Sequence, residues 1–377
     1  MRIAVPAETD ATESRVAITP DMVRKYIALG ADVVVQSGAG VKSGIRDVDF
    51  EAAGAKVVES DVLKDADIVL RVRRPSASEL GGLKPGALVL AIMDPYGQDE
   101  ALQAIAQTGA TSFSMELMPR ITRAQVMDVL SSQANIAGYR AVIEVAEQYG
   151  RAFPMMMTAA GTVPAAKVFV MGVGVAGLQA IATARRLGAI VTATDVRPAT
   201  KEQVESLGAK FIAVEDEEFK QAETSGGYAK EMSDAYQAKQ ATLVASHIAK
   251  QDIVITTALI PGRPAPRLVT AEMVASMRPG SVVMDLAVER GGNCELSKAD
   301  EVVESNGVKI VGYLNIAGRL AATASSLYAR NLFAFVETLI DKDSKTVRVD
   351  PEDELVRATC LTRDGSVVHP NFRSKAD

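Results

Sequence analysis

The sequence contains few of the residues that mark disulfide frameworks, metal centres or acid–base catalysis. Its 377 residues include two cysteines, two histidines and no tryptophan. Cys294 and Cys360 lack metal-ligand spacing and are expected to be buried, reduced thiols. His247, in a predicted helix, and His369, in a predicted C-terminal hairpin, are expected to have structural roles. The sequence therefore predicts no metal site and offers little histidine for proton transfer.

Long hydrophobic runs and an excess of basic residues are also lacking. No uninterrupted apolar run reaches the roughly 18 residues of a membrane-spanning helix, and the N-terminus reads as a first strand without a signal peptide. A cytoplasmic location is therefore expected. The net charge of −6 without a basic tract argues against nucleic acid as a partner. A chain of this length, 48% hydrophobic and 23% charged, is typical of a globular protein with two or three domains.

Alternating strand and helix patterns indicate an α/β protein built from two blocks. Strands are predicted in the first block at 2–6, 33–35, 68–72, 88–92 and 111–115, and in the second at 168–171, 190–194, 211–214, 253–256, 282–285 and 309–312. Long helices at 122–149 and 321–340 are expected to connect the blocks, followed by strands at 345–349, 358–362 and 366–369. The predicted fold is two doubly wound parallel-sheet, Rossmann-like domains joined by long helices, with a cofactor cleft between them. Residues 1–130 plus 320–377 would form the first domain and residues 131–319 the second, Rossmann domain.

The most informative segment is a strand, a glycine loop, a helix, a second strand and an acid in succession. Strand 168–171 leads into Gly172-Val173-Gly174-Val175-Ala176-Gly177, and strand 190–194 ends at Asp195. In a dinucleotide site the first glycine permits a tight turn, the second lets the backbone approach a pyrophosphate at the positive end of the helix, and the third allows close helix–strand packing. We expect that helix to begin near Leu178. The spacing predicts a dinucleotide-binding domain, and a degenerate Rossmann domain without ligand is the alternative.

Asp195 indicates which dinucleotide is bound. Its carboxylate can accept hydrogen bonds from the adenosine ribose hydroxyls, whereas a 2′-phosphate would meet like charge at roughly 4 Å, at a cost of up to about 4 kcal/mol for an effective dielectric near 20. Arg197 is able to tolerate that phosphate but is given secondary weight. NAD(H) is therefore the predicted cofactor.

Polar residues also cluster where a predicted strand passes into the first long helix. They are Arg120, Gln125, Asp128 and Ser131. Such groups are suited to bind a carboxamide or a pyrophosphate. The spacing alone leaves an equal alternative, in which residues 123–132 are the solvated face of a helix N-terminus.

Six motifs spread along the chain are shared with one family. They are Ser-Arg-Val-Ala-Ile-Thr-Pro at 14–20, Met-Glu-Leu-Met-Pro-Arg-Ile-Thr-Arg-Ala-Gln at 115–125, Gly-Tyr-Arg at 138–140, Phe-Pro-Met-Met-Met-Thr-Ala-Ala-Gly-Thr-Val-Pro at 153–164, the glycine loop extended to Ala180, and Asp-Leu-Ala-Val-Glu-Arg-Gly-Gly-Asn-Cys at 285–294. With them the chain resembles the NAD(H)-binding component, domain I, of proton-translocating nicotinamide nucleotide transhydrogenase. The resemblance covers essentially the whole chain and is to the version in which domain I is a separate soluble α-type subunit.

This resemblance implies roles for individual residues. Arg120, Gln125, Asp128 and Ser131 would hold the nicotinamide end and face an NADP(H)-binding partner. Further cofactor contacts are implied for Val175, Asp195, Val196, Arg197, Gly227, Gln240 and Leu259. Residues 225–230, with Tyr228, match a mobile loop that closes over bound nucleotide. Residues 155–157, all methionine, match a hairpin exchanged between the subunits of a dimer, and the alternative is an apolar strand buried within one subunit.

The activity that the resemblance implies is direct hydride transfer between NAD(H) on this chain and NADP(H) on a partner subunit. This step needs no general acid or base, so the protein contributes positioning and water exclusion. Proton translocation would belong to a membrane-spanning subunit. The implied assembly is a homodimer, held by its partner subunits on the cytoplasmic side of the inner membrane.

Two other functions remain open. Alanine dehydrogenase shares the fold and the Arg-Val-Ala pattern at Arg15, but its family carries a lysine in a Lys-Val-Lys-Glu-Pro segment and a histidine after a later strand. The matching stretches here read Arg71-Val72-Arg73-Arg74-Pro75 and Ala91-Ile92-Met93-Asp94-Pro95, so Arg73 replaces the lysine and no histidine is present. The second alternative is a non-catalytic NAD(H)-sensing module, which would bind nucleotide without redox turnover.

Overall fold

A computed structural model describes residues 1–221, 232–260 and 262–373. In chain order its strands are β1 (Arg2–Val5), β2 (Asp32–Gln36), β3 (Lys56–Val58), β4 (Ile68–Arg73), β5 (Leu88–Ile92), β6 (Thr111–Ser114), β7 (Met156–Thr158), β8 (Gly161–Val163), β9 (Lys167–Met171), β10 (Ile190–Thr194), β11 (Lys210–Phe211), β12 (Ile253–Thr256), β13 (Val282–Asp285), β14 (Val302–Ser305), β15 (Val308–Val311), β16 (Ile340–Asp341), β17 (Thr346–Val347), β18 (Cys360–Arg363) and β19 (Ser366–Val367).

The α-helices alternate with these strands. They are α1 (Pro20–Ala28), α2 (Asp47–Ala52), α3 (Asp99–Gln107), α4 (Val129–Gln148), α5 (Val175–Arg186), α6 (Thr200–Ser206), α7 (Glu217–Lys220), α8 (Asp234–Ile248), α9 (Ala271–Ser276), α10 (Ala321–Val336) and α11 (Glu354–Thr359). No helix among the described residues is long and apolar enough to span a membrane.

The first compact unit comprises Met1–Gln133 and Ala317–Asp377. Its eight-stranded sheet has the order β19-β18-β6-β5-β4-β1-β2-β3. The sheet is parallel except for β18, which pairs antiparallel with both β6 and β19. Strand β1 lies between β2 and β4, so the direction in which the chain adds strands reverses there. Side chains of open α/β sheets that bind ligands lie at the carboxyl ends of strands beside such a switch point.

The second compact unit comprises Ala134–Ile316. Its seven-stranded sheet has the order β11-β10-β9-β12-β13-β15-β14, with only β14 antiparallel among these described strands. The chain runs outward from β9 to β11, returns to pair β12 with the other side of β9, and continues to β15. The switch point of this sheet therefore lies between the carboxyl ends of β9 and β12.

Each sheet is buried on both faces. Successive side chains of a strand point in opposite directions, and here both sets belong to buried clusters. In the first unit Ile3 and Val5 belong to one buried cluster, and Ala4 belongs to another. In the second unit Val168 and Phe169 divide in the same way. The predicted fold class, with two Rossmann-like parallel sheets, is confirmed.

The helix predicted at 122–149 is wrong at its start. Thr122–Met127 form a 3-10 helix, and α4 begins only at Val129. The carboxylate of Asp128 accepts hydrogen bonds from Ser131 N (2.8 Å) and Ser131 Oγ (2.5 Å). Because this side chain satisfies a backbone N–H at the start of α4, Asp128 acts as a cap that separates the two helices.

Several other predicted bounds also change. Helix α5 begins at Val175 rather than near Leu178, because Gly174 is its extended N-cap residue. The helix predicted at 321–340 ends at Val336 and continues as a 3-10 helix, Glu337–Leu339. Strand β11 is shorter than the predicted 211–214, β17 is shorter than 345–349, and residues 358–359 end α11 instead of starting a strand.

The methionine segment forms an exposed hairpin. Strand β7 pairs with β8 in an antiparallel ladder. Met155 is 61% exposed and Met157 is 80% exposed. The alternative that this segment is an apolar strand buried within one subunit is therefore wrong. A run of methionines predicts burial from hydrophobicity, but a two-stranded hairpin outside the main sheet has no core to enter.

Candidate functional site

The glycine loop follows β9 at the switch point of the second unit. Gly172 has a φ of +99°, which favours glycine. A Cβ on Gly177 would overlap the carbonyl oxygen of Gly172, so α5 packs against the loop with no space for a side chain. Beside Gly174, in contrast, no heavy atom lies within 4 Å of a Cβ position. Two of the glycines therefore serve the turn and its packing, and the third leaves open space.

The open space lies at the N-terminus of α5, where the first backbone N–H groups have no partner within the helix. The aligned peptide dipoles make this end favourable for an anion. Val175 is exposed and Ala176 is half-buried at the first turn. Among the groups that a dinucleotide carries, the pyrophosphate fits this combination of open space and N–H donors.

Asp195 follows β10, and its carboxylate already has several partners. It accepts a hydrogen bond from Val173 N (2.7 Å) and one from Arg197 N (2.9 Å). The Arg197 guanidinium donates from Nε to Oδ1 and from Nη2 to Oδ2, both at 2.9 Å. The predicted penalty against a 2′-phosphate assumed an unpaired carboxylate. Arg197 offsets that penalty because its positive charge contacts both oxygens, so the charge argument for NAD(H) over NADP(H) is weaker than the sequence indicated.

The remaining predicted residues of this unit are placed unequally. Val196 and Leu259 are exposed at the carboxyl ends of β10 and β12. Gln240 holds α8 beside β10: its Oε1 accepts from Val214 N (2.9 Å) and its Nε2 donates to Thr194 Oγ1 (3.2 Å). Gly227, Tyr228 and the rest of the 225–230 loop lie outside the described residues.

Two residues that the sequence analysis did not single out connect the loops at this sheet edge. Thr257 Oγ1 donates to the carbonyl oxygen of Gly172 (2.9 Å). Asn293 is fully buried, and its side chain makes hydrogen bonds to both sides of the loop after β12. A signal existed for Thr257, because it directly follows the predicted strand 253–256 and so had to lie at the same edge as Gly172.

The polar group of the first unit is only partly assembled. Asp128 and Ser131 are paired at the start of α4. Arg120 and Gln125 are exposed, and their side chains make no hydrogen bond or ion pair with the portion of the chain that the structure describes. The 3-10 helix Thr122–Met127, which contains Gln125, is held by two contacts that sequence reasoning missed. Arg123 Nη1 pairs with Asp353 Oδ2 (3.0 Å), and Asn331 Nδ2 donates to Val126 O (2.8 Å).

A buried ionic cluster lies near the switch point of the first unit. The Glu13 carboxylate accepts from Arg15 Nε (2.8 Å) and Nη2 (2.7 Å), and from Arg73 Nε (2.8 Å). Burial by itself would raise the pKa of Glu13, but hydrogen bonds and positive charge from Arg15, with further charge from Arg73, lower that pKa to about 2. One internal carboxylate therefore faces two arginines.

The histidines and cysteines make structural contacts. His247 Nε2 shares a hydrogen bond with Thr192 Oγ1 (2.8 Å), and its ring packs edge-on against Phe169. His369 Nε2 contacts the carbonyl oxygen of Ala358 (3.1 Å). Cys294 and Cys360 are buried free thiols, as predicted.

Comparison with known proteins gives matches along most of the chain. The family described as alanine dehydrogenase/PNT matches with its N-terminal domain at residues 4–137 and its C-terminal domain at residues 141–370. The chain belongs to this family. Within the alanine dehydrogenase/PNT family, it is 55% identical to the first of the polypeptides that make up NAD(P) transhydrogenase subunit alpha of Rhodospirillum rubrum, over 98% of both chains.

Two further alanine dehydrogenase/PNT relatives have sequence identities above and below this value. A solved transhydrogenase structure from Sinorhizobium meliloti is 62% identical, with a TM-score of 0.90 over 98% of this chain and 100% of that one. The alanine dehydrogenase of Halomonas elongata is 30% identical over 98% of this chain and 95% of its own. The predicted resemblance to transhydrogenase α-type subunits, with alanine dehydrogenase as a relative, is confirmed.

Proposed function

We propose that this chain is the NAD(H)-binding, soluble α-type subunit of a proton-translocating NAD(P)+ transhydrogenase. A hydride would pass directly between NAD(H) on this chain and NADP(H) on a partner subunit. The observation that carries the proposal is the open space beside Gly174, at the N-terminus of α5 and the switch point of its sheet. The 55% identity to a transhydrogenase α-type subunit supports the reaction class.

The residues of the glycine loop would hold the dinucleotide, with the pyrophosphate at the backbone of Gly174, Val175 and Ala176. Asp195, Val196 and Arg197 would contact the adenosine end, and the nicotinamide supplies the carbon that carries the hydride. Further contacts are proposed for Gly227, Tyr228, Gln240 and Leu259. Arg120, Gln125, Asp128 and Ser131 would position the nicotinamide end and exclude water from it.

The proposed assembly contains other chains. It comprises an NADP(H)-binding transhydrogenase domain, a membrane-spanning subunit and a second copy of this chain. Through these partners the chain would lie peripherally on the cytoplasmic side of the inner membrane. Proton translocation would occur in the membrane-spanning subunit.

An alanine dehydrogenase activity has less support from the first unit. Such an enzyme must bind a substrate carboxylate and move protons to and from the substrate. Arg15 and Arg73 are both paired with Glu13, so an internal carboxylate already offsets part of the positive charge that a substrate carboxylate would need. Arg73 also stands where that family carries a lysine, and a guanidinium is less suited to proton transfer than an amine.

The test is reduction of an NAD analogue by NADPH when this chain is mixed with a purified NADP(H)-binding transhydrogenase domain. Pyruvate, ammonium and NADH form the parallel control. Turnover should require both proteins, and Gly174→Ala should slow it about tenfold at low nucleotide, because a methyl group enters the space proposed for the pyrophosphate. The variant should stay folded, since nothing lies within 4 Å of the added atom.

Turnover in the pyruvate control alone would make this an amino acid dehydrogenase. NADH binding without turnover in the presence of the active partner would instead indicate a sensing module.

A further inference from the structure

We infer that Thr257 and Asn293 are positioning residues that set the geometry of the dinucleotide site. They hold the segment after β12, residues 257–260, against the glycine loop. We call these four residues the β12 segment. The inference rests on the proposed function, because it assigns the affinity for NAD(H) partly to two residues that are not themselves proposed to touch the nucleotide.

The first link joins the two strands at the switch point. Thr257 Oγ1 donates to the carbonyl oxygen of Gly172 at 2.9 Å, and Thr257 N donates to Met171 O at 2.9 Å. A Cβ on Gly172 would lie 2.7 Å from that same hydroxyl oxygen, so the two loops are in close contact. The position of Gly172 therefore depends on the hydroxyl of Thr257.

The second link is the Asn293 side chain, which makes three hydrogen bonds to the loop after β12. Its Oδ1 accepts from Ala258 N (3.0 Å), and its Nδ2 donates to Ala258 O (2.9 Å) and to Pro266 O (2.8 Å). One fully buried amide thus holds the outgoing and returning ends of this loop together. Removing it would leave half-buried backbone groups of Ala258 and Pro266 without these partners.

Asn293 is itself held from the end of β13. The buried carboxylate of Asp285 accepts from Cys294 N (2.9 Å) and from Ser297 Oγ (2.7 Å). The backbone carbonyl of Asn293 accepts from Leu268 N (2.8 Å) and Val269 N (3.0 Å). Hydrogen bonds, joined by the backbone between neighbouring residues, therefore link the end of β13 through Asn293 and the β12 segment to Gly172.

The β12 segment continues from these bonded residues into two exposed apolar side chains. Leu259 is 51% exposed and Ile260 is 47% exposed, directly after the residue that Asn293 holds. Two adjacent large apolar residues in that position give a bound ring a surface to pack on. Their distance from the glycine loop is set by Thr257 and Asn293.

The test uses the full chain and measures three quantities. They are the Kd for NADH by fluorescence titration, the melting temperature, and the hydrogen-exchange rate of the Ala258 amide. Thr257→Val removes the hydroxyl at nearly constant volume and should raise the Kd for NADH about fivefold. Thr257→Ser keeps the hydroxyl and should restore the wild-type Kd. Asn293→Ala should raise the Kd about tenfold and accelerate exchange of the Ala258 amide.

Thr270→Ala is the matched control in the same unit. Its side chain accepts from Met273 N and caps α9, so its loss should lower the melting temperature without changing the Kd. The inference is overturned if Thr257→Val binds NADH within twofold of wild type, if Thr257→Ser fails to restore binding, or if Thr270→Ala weakens binding equally.

Should Asn293→Ala fail to fold, the two Thr257 variants still decide. A wild-type chain that bound no NADH would contradict the proposed function, whereas unchanged exchange at Ala258 in folded Asn293→Ala would separately contradict the positioning role.

Discussion

Glu13 stabilises two arginines through a single carboxylate, and its pKa makes this contribution dependent on pH. The pKa is about 2 in the folded chain, against an ordinary value of 4.5. A carboxyl group whose folded pKa is depressed contributes stability that is fully present above the unfolded pKa and is lost as the pH falls through the folded one. We therefore expect about 3 kcal/mol of the free energy of unfolding to be lost between about pH 5 and pH 2.

Glu13→Gln should remove this pH dependence and lower stability at pH 7 by about 3 kcal/mol, because two guanidinium groups lose their buried counter-charge. Urea unfolding at pH 7 and at pH 3 measures both effects. The exposed Glu59, substituted as Glu59→Gln, is the control and should change neither. A Glu13→Gln chain as stable as wild type at pH 7 would show that the cluster contributes nothing net.

Residue-level prediction from sequence is successful where the interacting residues are close in the chain. Gly172, Gly174 and Gly177 have the spacing of a dinucleotide loop, and the turn and helix that this spacing predicts are present. Glu13 and Arg73 lie 60 residues apart, and Thr257 lies 85 residues from Gly172. The predicted strand 253–256 places Thr257 at the same sheet edge as Gly172, but no local pattern shows the hydrogen bond between them, and none pairs Glu13 with Arg73.

At the scale of the element, Asp128 has a capping role that can be separated from any role in the cofactor site. Its carboxylate bonds Ser131 N and Oγ at the start of α4. Asp128→Ala should therefore cost about 1 kcal/mol of stability, whereas Asp128→Asn should keep most of the cap. If the charge also serves the nicotinamide end, Asp128→Asn should slow hydride transfer to the partner while its melting temperature stays near that of wild type.

Melting temperature and reconstituted transfer rate, measured on both variants, distinguish the two roles. Ser132 provides the comparison. It lies in the first turn of α4, its hydroxyl donates to Asn331 of α10, and it is not part of the proposed site. Ser132→Ala should leave the transfer rate unchanged. A wild-type rate in Asp128→Asn would limit Asp128 to capping.

The start of α4 also shows why element bounds are harder to predict than element types. Residues 122–149 have continuous helical periodicity, so nothing in the apolar pattern marks a break. The break arises because the Asp128 carboxylate bonds the backbone N–H of Ser131, and this bond competes with continuation of the helix. The apolar pattern does not record such a bond. The reversed direction of β14 and of β18 within their sheets is similarly hidden, because a hydrophobic pattern does not record strand direction.

At the scale of the whole molecule, the exposed β7–β8 hairpin bears on the assembly. Met155, Met156 and Met157 are 61%, 42% and 80% exposed. Large exposed apolar side chains grouped on one hairpin are disfavoured on a soluble monomer and are typical of an interface. The resemblance to the transhydrogenase family implies that this hairpin is exchanged between two copies of the chain, which would cover all three side chains.

We therefore expect the chain to be a dimer that depends on these methionines. Replacing Met155, Met156 and Met157 together by serine should shift the sedimentation coefficient towards that of a monomer at micromolar concentration, because the apolar area buried between copies is lost. The hairpin lies outside both main sheets, so the fold and its melting transition should persist. Val302→Ser, an exposed apolar position on β14, is the control and should leave the dimer intact. A wild-type chain that sediments as a monomer at all concentrations, or a triple variant that remains fully dimeric, would contradict the exchange of this hairpin.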